Sequence, residues 1–222
     1  MSFTDMLWSD TAELQDTIQT MPFNTQLANG TLRQDVFQGY IIQDAHYLEG
    51  FARALALTAS RATDPQAIAQ LAGSANGAIA VERQLHAEYM SLFKVSPSNF
   101  AKTPPSQACD HYINFLIRSA SIDPFPVAVT ALLPCFWIYH RVGQAIDAKA
   151  TKNNPYQAWI DTYASDAFAA SVQSMLDLTN ILASQNNESM RKAMKASFAR
   201  SSWHEWMFWH SAFQQDGWAS HS

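Results

Sequence analysis

Between Thr31 and Arg61 the chain reads TLRQDVFQGYIIQDAHYLEGFARALALTASR. Apolar side chains recur there at three- and four-residue spacing, the period with which one face of an α-helix meets a core. They are Val36, Phe37, Tyr40, Ile41, Tyr47, Leu48, Phe51 and Leu55. This stretch predicts a long helix with one buried face, and the rest of the chain repeats the pattern.

Prolines that follow a capping side chain indicate where further helices begin, because the first helical residue needs no N–H. Three such pairs are Asp64-Pro65, Asp123-Pro124 and Asn154-Pro155. We predict helices near residues 3–21, 31–61, 65–94, 106–120, 124–149, 155–164, 165–185 and 187–215. No segment alternates as a strand does, so the sequence predicts an all-α bundle that forms a single domain over residues 1–222.

Composition narrows the class of protein. Of the 222 residues 48% are hydrophobic and 15% charged, which favours a well-filled core over disorder. The net charge of −5 comes without a basic run, so we expect no nucleic-acid partner. We also expect no membrane span and no signal peptide. Two cysteines make no disulfide framework, which indicates reduced thiols and a cytoplasmic location.

One cysteine lies in an unusual setting. Residues 133–139 read LPCFWIY, so Cys135 follows a proline within an aromatic helix. Pro134 leaves the carbonyl of Thr130 without its helical donor, and we expect a kink that opens a cleft. Tyr139 follows one turn later and could reach the sulfur or a ligand bound to it. Cys135 is therefore a candidate nucleophile, although a free cysteine is often a small buried hydrophobe.

An acid interrupts the aromatic face of the Thr31–Arg61 helix. Steps of four, three and four residues place one stripe on that face: Tyr40, Asp44, Tyr47 and Phe51. A buried carboxylate is costly unless something pairs with it. Asp44 is therefore the floor of an aromatic pocket, or a residue at the edge of the stripe, or an acid that bonds a neighbouring side chain.

A second acid lies among aromatic residues near the C-terminus. Residues 203–209 read WHEWMFW, and Glu205, Phe208 and Trp209 share one helical face. Desolvation there would raise the carboxyl pKa towards neutrality, as a general acid/base requires. The alternative is a structural Glu205 that pairs with a nearby His or Arg.

Three of these segments together resemble the TenA/thiaminase II family, the aminopyrimidine aminohydrolases of the haem-oxygenase-like fold. The matching segments are YIIQDAHYL at 40–48, LPCFWIY at 133–139 with Gly143, and Phe198-x-x-Ser201-x-x-x-Glu205-x-x-Phe208-Trp209. They are far apart, and their order and separation suit the family across nearly the whole chain. The resemblance implies a haem-oxygenase-like helical bundle with a deep pocket.

The resemblance also implies an activity. The family hydrolyses thiamin, or its breakdown product aminomethylpyrimidine, to hydroxymethylpyrimidine in thiamin salvage or degradation. By motif position, Cys135 resembles the nucleophile, Glu205 the acid/base on the pyrimidine, and Asp44 the carboxylate that binds the amidine-like edge of the ring. The resemblance implies neither a metal nor an organic cofactor, and it implies a homotetramer.

Other positions match residues that hold the substrate in the family. Tyr47 resembles the stacking aromatic residue and Phe208 an apolar wall. Tyr112, Tyr139 and Tyr163 resemble hydroxyls that line the pocket, whereas the pattern around Tyr112 and Tyr163 by itself predicts only core packing.

Two positions depart from the family pattern. Ala45 stands where many members have an aromatic residue, and His210 stands where an acid is common. Both bear on packing around the site, and through it on substrate preference. Neither coincides with Cys135, Asp44 or Glu205.

Two other functional classes remain open. One is a haem-oxygenase-like metal oxidase, in which Glu82 and His86 would face His46 and Glu49 across two helices. The repeated Glu-x-x-His of di-iron bundles is absent, and such an oxidase has no use for Cys135. The other is a non-catalytic pyrimidine-binding protein that has kept the pocket, which the intact set of reactive residues disfavours.

Overall fold

The computed structural model describes residues 1–92 and 102–218, and from residue 81 to 92 it describes no side chain except that of Tyr89. Ten helices occupy the described residues: α1 Phe3–Asp10, α2 Ala12–Thr20, α3 Pro22–Ala28, α4 Gln34–Ala59, α5 Pro65–Leu92, α6 Gln107–Ile122, α7 Phe125–Asp147, α8 Gln157–Ala164, α9 Asp166–Ser184 and α10 Glu188–Gln214. This part of the chain contains no strand, so the prediction of an all-α bundle is confirmed.

Helix α7 is the centre of the bundle and packs against α8, α9 and α10. It continues through Pro134, so Cys135 lies in mid-helix. It is also long and apolar enough to cross a membrane, but 78% of its most apolar window is buried inside the protein. A central core helix has the same length and composition.

Helix α4 is the second long core helix and packs against α5, α6 and α10. Its predicted stripe is buried as a unit: Tyr40, Asp44, Tyr47 and Phe51. In α10 the face carrying Glu205, Phe208 and Trp209 is buried as well, whereas Trp203 is 54% exposed. The two interrupted aromatic faces thus both point into the core, as their helical spacing predicts.

The predicted helix at 3–21 is wrong, because the structure has two helices there and a third after them. The Thr11 hydroxyl donates to the carbonyl of Leu7 at 2.9 Å, and the backbone of Thr11 leaves the helical region. Met21 is extended because Pro22 disfavours the helical conformation of the residue before it. Pro22 then begins α3, which the sequence analysis missed.

Gly143 lies where α7 passes close to α8. A Cβ at this position would lie 2.8 Å from the carbonyl carbon of Tyr163 and 2.9 Å from its Cβ. Only glycine allows this approach without displacing Tyr163, because backbone atoms cannot turn aside as a flexible side chain can. The close crossing fixes where the Tyr163 ring lies.

We expect Gly143→Ala to lower the free energy of unfolding by about 1–3 kcal/mol, because the added methyl group overpacks the crossing. Urea denaturation followed by circular dichroism measures the change. The control is Gly39→Ala in α4, where a Cβ meets no described atom within 4 Å. The control should be neutral or stabilising by up to about 1 kcal/mol. Equal effects of the two changes would contradict the close-packing argument.

Candidate active site

A cavity of about 820 Å³ enters the bundle between α4, α5, α7, α8 and α9. Its inner end is lined by buried side chains, among them five that the sequence analysis selected: Asp44, Tyr47, Cys135, Tyr139 and Tyr163. These residues come from three helices and are separated by up to 119 positions in the chain. The fold therefore brings the candidate nucleophile, one candidate carboxylate and three tyrosines to one place.

The other three predicted site residues do not line the cavity in the described structure and form a second layer behind its lining. They are Tyr112, Glu205 and Phe208. The Tyr47 ring stacks on Tyr112 with centroids 4.8 Å apart and contacts Phe208 at 5.4 Å. Glu205 is 0% exposed. Tyr47 thus packs between the cavity and the rings of Tyr112 and Phe208, while the charge of Glu205 acts on the Cys135 thiol.

The Cys135 thiol faces the hydroxyl of Tyr47, which does not complete a hydrogen bond of regular geometry with it. Burial and then the charge of Glu205 raise the pKa of the thiol well above its ordinary value, and Tyr47 opposes this. The Tyr139 hydroxyl, which the sequence suggested for the sulfur, lies 3.4 Å from the hydroxyl of Tyr40. The resting thiol is protonated and needs a proton acceptor to become a nucleophile.

Glu205 is held by a tyrosine. Its Oε1 accepts a hydrogen bond of 2.6 Å from the Tyr112 hydroxyl, which also lies 3.1 Å from Ser201 Oγ. Ser201 donates in turn to the carbonyl of Ala131 at 2.6 Å. Burial raises the pKa of Glu205 to about 8, the Tyr112 bond opposes the rise, and the charge of Asp44 adds to it. A carboxyl group with this pKa exchanges its proton near neutral pH.

The structural alternative for Glu205 required a His or Arg partner. Among the described residues no His or Arg makes an ion pair or hydrogen bond with Glu205. The adjacent His204 instead stacks on the Tyr112 ring at 5.3 Å. Burial, with Arg200 and His111, lowers the pKa of His204 to about 4, so this ring is neutral.

Asp44 places a negative charge at the inner end of the cavity and is 3% exposed. After burial, its charge is the next cause that raises the pKa of Tyr40 and of Tyr163. Trp159 joins this cluster because its Nε1 donates to the Tyr40 hydroxyl at 3.1 Å. Trp159 could not be predicted as part of this cluster, because nothing in its local sequence pattern distinguishes it from a core residue.

The two positions that depart from the family pattern differ in their surroundings. Ala45 is 1% exposed and lies next to Asp44 in the packed face of α4. His210 is exposed and stacks on Trp206 with centroids 4.8 Å apart. Of the two, only Ala45 is placed to affect packing beside the cavity.

The residues named for a metal oxidase do not form a described site. The side chains of Glu82 and His86 lie outside the described residues. His46 Nε2 bonds the Thr103 carbonyl at 2.8 Å, and Glu49 accepts from Arg53 at 3.3 Å. In the part of the chain that the structure describes, no three His, Cys, Asp or Glu side chains are placed to hold one ion.

Comparisons with known proteins agree on one family. The model of the TENA/THI-4/PQQC family matches residues 8–215. The aminopyrimidine aminohydrolase of Bacillus subtilis strain 168 is 32% identical over 219 residues, which is 99% of this chain and 93% of that protein. The TenA homologue of P. horikoshii OT3 has 27% identity and a TM-score of 0.87, covering 96% of this chain and 99% of its own.

A further solved structure identifies the fold. It is a domain of unknown function with a heme oxygenase-like fold from Shewanella denitrificans OS217. Its TM-score is 0.74 at 14% identity, covering 96% of this chain and 92% of that one. At this identity the likeness concerns the fold alone, and it confirms the prediction of a haem-oxygenase-like bundle.

The raised pKa of Glu205 predicts a pH-dependent stability. The folded protein keeps a proton up to about pH 8, whereas the unfolded chain releases it near the ordinary value of 4.5. Stability should therefore fall as the pH rises between these values, by on the order of 2–4 kcal/mol from this group. Glu205→Gln should remove that slope, which urea denaturation at several pH values measures.

The control for this experiment is Glu13→Gln, which removes an exposed charge on α2. It should leave the pH dependence of the unfolding free energy unchanged. A Glu205→Gln protein with the same slope as the parent would mean that Glu205 is ionised throughout this range.

Proposed function

Because this chain belongs to the TENA/THI-4/PQQC family, we propose that it is an aminopyrimidine aminohydrolase that uses Cys135 as its nucleophile. It hydrolyses the bond between the pyrimidine methylene and the leaving nitrogen of aminomethylpyrimidine or thiamin, and yields hydroxymethylpyrimidine. The observation that carries the proposal is the Cys135 thiol at the inner end of a deep cavity, with Asp44 beside it and Glu205 behind it.

The inner cavity suits a flat, electron-poor ring. Tyr47, Phe136, Tyr139 and Tyr163 give it aromatic walls, on which a pyrimidine can stack. The Asp44 carboxylate can accept hydrogen bonds from the exocyclic amine and a protonated ring nitrogen. Such a charge-assisted pair fixes the orientation of the ring, and therefore which ring carbon faces the sulfur.

The first chemical step joins the sulfur to that ring carbon. Glu205 gives its proton to a ring nitrogen and takes up the thiol proton, so the net transfer runs from sulfur to the ring. Tyr112 holds the carboxyl group in place for this exchange. Protonation makes the ring carbon more electrophilic, and the thiolate adds to it.

The remaining steps restore the ring. Ring electrons expel the leaving group from the methylene, the protonated amine as ammonia or the thiazolium as neutral thiazole, and leave an exocyclic double bond. Water adds to the methylene and gives one proton to solvent. The ring electrons then expel the thiolate, and the ring nitrogen returns its proton to the sulfur. The proton donors and acceptors in this sequence are side chains of the protein, the substrate ring and water, so the reaction as written uses no metal or organic cofactor.

We infer a cytoplasmic homotetramer as the working form of the enzyme. The cytoplasmic location rests on two reduced cysteines, and the tetramer rests on the family resemblance. Large apolar side chains on the outer face of α10 support an assembly, since Trp203 is 54% exposed and Met207 36% exposed. Association of chains would cover them.

We expect Cys135→Ser to reduce kcat at least about 10³-fold, because a hydroxyl is a far weaker nucleophile than a thiol. Hydroxymethylpyrimidine formed from thiamin and from aminomethylpyrimidine, measured by mass spectrometry, is the readout. Cys109→Ser is the matched control, since Cys109 is also buried and its pKa is also raised by burial. Cys109 bonds the Gln43 carbonyl and does not line the cavity. Near-normal turnover by the Cys135 variant would refute the covalent mechanism.

We expect Asp44→Asn to lose about 2–4 kcal/mol of transition-state stabilisation, because the amide keeps the shape but removes the charge and one acceptor. The ratio kcat/KM and the calorimetric affinity for hydroxymethylpyrimidine both report the loss. Unchanged affinity would remove Asp44 from the ring-binding site.

A further inference from the structure

The cavity has two chemically different halves. Its inner half consists of buried side chains around Cys135, whereas its outer half consists of exposed or half-exposed residues of α5, α8 and α9. A volume of about 820 Å³ is in the range that holds a drug-sized ligand. One substituted pyrimidine at the thiol fills the inner half only, so the outer half has room for another group.

Most polar side chains of the outer half, Ser74 apart, offer acceptors rather than donors. Four hydroxyl groups there already donate to nearby backbone carbonyls at 2.8–3.2 Å: Thr162, Ser165, Ser171 and Ser174. Their lone pairs are what remains for a ligand. The Gln70 amide is directed at the sulfur of Met175, 3.4 Å away.

The charged side chains that line the cavity in the described structure are both acidic. Asp161 lies in the outer half and Asp44 in the inner half, and the described lining includes no Lys, Arg or His. The Gln157 amide occupies one Asp161 oxygen at 2.7 Å, and the carboxylate remains exposed to the cavity mouth. Two carboxylates in one lining favour a cation and oppose a phosphate.

Helix α5 leaves this half open. It contributes Ala69, Gly73 and Gly77 to the lining, one helical turn apart. A Cβ at Gly73 or Gly77 would meet no described atom within 4 Å. The space beside α5 is therefore open cavity, and no side chain of the described structure fills it.

We propose that the outer half is a leaving-group compartment that accepts a bulky cationic heterocycle, such as a thiazolium ring, and discriminates against phosphorylated substrates. Asp161 is its specificity-determining residue. The compartment rests on the proposed function, because it places the leaving group of the reaction at Cys135. Lone pairs and carboxylates attract the positive ring, and the same groups repel a phosphate that finds no cationic partner.

A steric variant tests the compartment. Gly73→Leu extends a side chain into the open space beside α5, and leucine is a better helix former than glycine, so the helix is not weakened. We expect the ratio of kcat/KM for thiamin to that for aminomethylpyrimidine to fall about tenfold or more. The control is Ala72→Leu on the adjacent exposed position outside the lining, which should keep the ratio of the parent. An unchanged ratio in Gly73→Leu would overturn the assignment.

An electrostatic variant tests the preference for a cation. Asp161→Asn should lower kcat/KM for thiamin about two- to fivefold and raise that for thiamin monophosphate relative to thiamin. Asp177→Asn is the control, because Asp177 is an exposed acid of α9 that also accepts from a glutamine four residues away, at 2.8 Å. Equal effects of the two variants, or none from Asp161→Asn, would show that Asp161 does not select the leaving group.

The outcomes separate this inference from the proposed function. If the parent protein releases no hydroxymethylpyrimidine from either substrate, the proposed hydrolase fails and the compartment fails with it. If the parent hydrolyses both substrates and Gly73→Leu and Ala72→Leu keep the same substrate ratio, the hydrolase stands and only the compartment is wrong.

Discussion

The hydrogen bond between Tyr112 and Glu205 is the contact on which the site depends. It joins α6 to α10 in the interior, where a carboxylate without solvent is costly. The protein meets this cost by keeping Glu205 protonated near neutral pH, as its pKa of about 8 indicates. Oε1 accepts from Tyr112, and Oε2 has no partner among the described residues, so Oε2 is the oxygen left to hold the proton. The Tyr47 ring stacks on Tyr112, and Phe208 packs against Tyr47 in turn.

Two carboxyl groups share this small volume with the Cys135 thiol and disfavour its ionisation. The charge of Glu205 raises the pKa of the Cys135 thiol, and the charge of Asp44 raises the pKa of both. The thiol therefore keeps its proton and is a poor nucleophile at rest. A cationic or protonated ring beside Asp44 reverses the balance, because a positive charge favours the ionised forms. In the proposed mechanism, substrate binding thus prepares the thiolate, and a thiol that is ionised only then is protected from other electrophiles.

Helical periodicity was enough to predict the residues that share a helix face. The stripe containing Asp44 and the face containing Glu205 both follow from spacing alone. What spacing could not predict is which group from another helix meets them. Tyr139 is one turn from Cys135, yet the hydroxyl that faces the sulfur is that of Tyr47 on α4. Asn154 likewise precedes a proline as a helix cap would, but its amide donates to carbonyls at the end of α3. Such contacts depend on how the helices pack against one another, and a single sequence does not specify that packing.

The two cysteines differ in their access to the cavity, although burial raises the pKa of both thiols. Burial raises the pKa of Cys109 and of Cys135, so in the resting protein neither thiol is marked as a nucleophile by its pKa. Their surroundings differ instead: the Cys109 thiol is directed at a backbone carbonyl, whereas Cys135 lines a cavity that a ligand can enter. Only at Cys135 can an incoming positive charge approach the sulfur and lower its pKa. In the proposed mechanism the reactive thiol is therefore selected by access for a cation, and its acidity follows from the substrate.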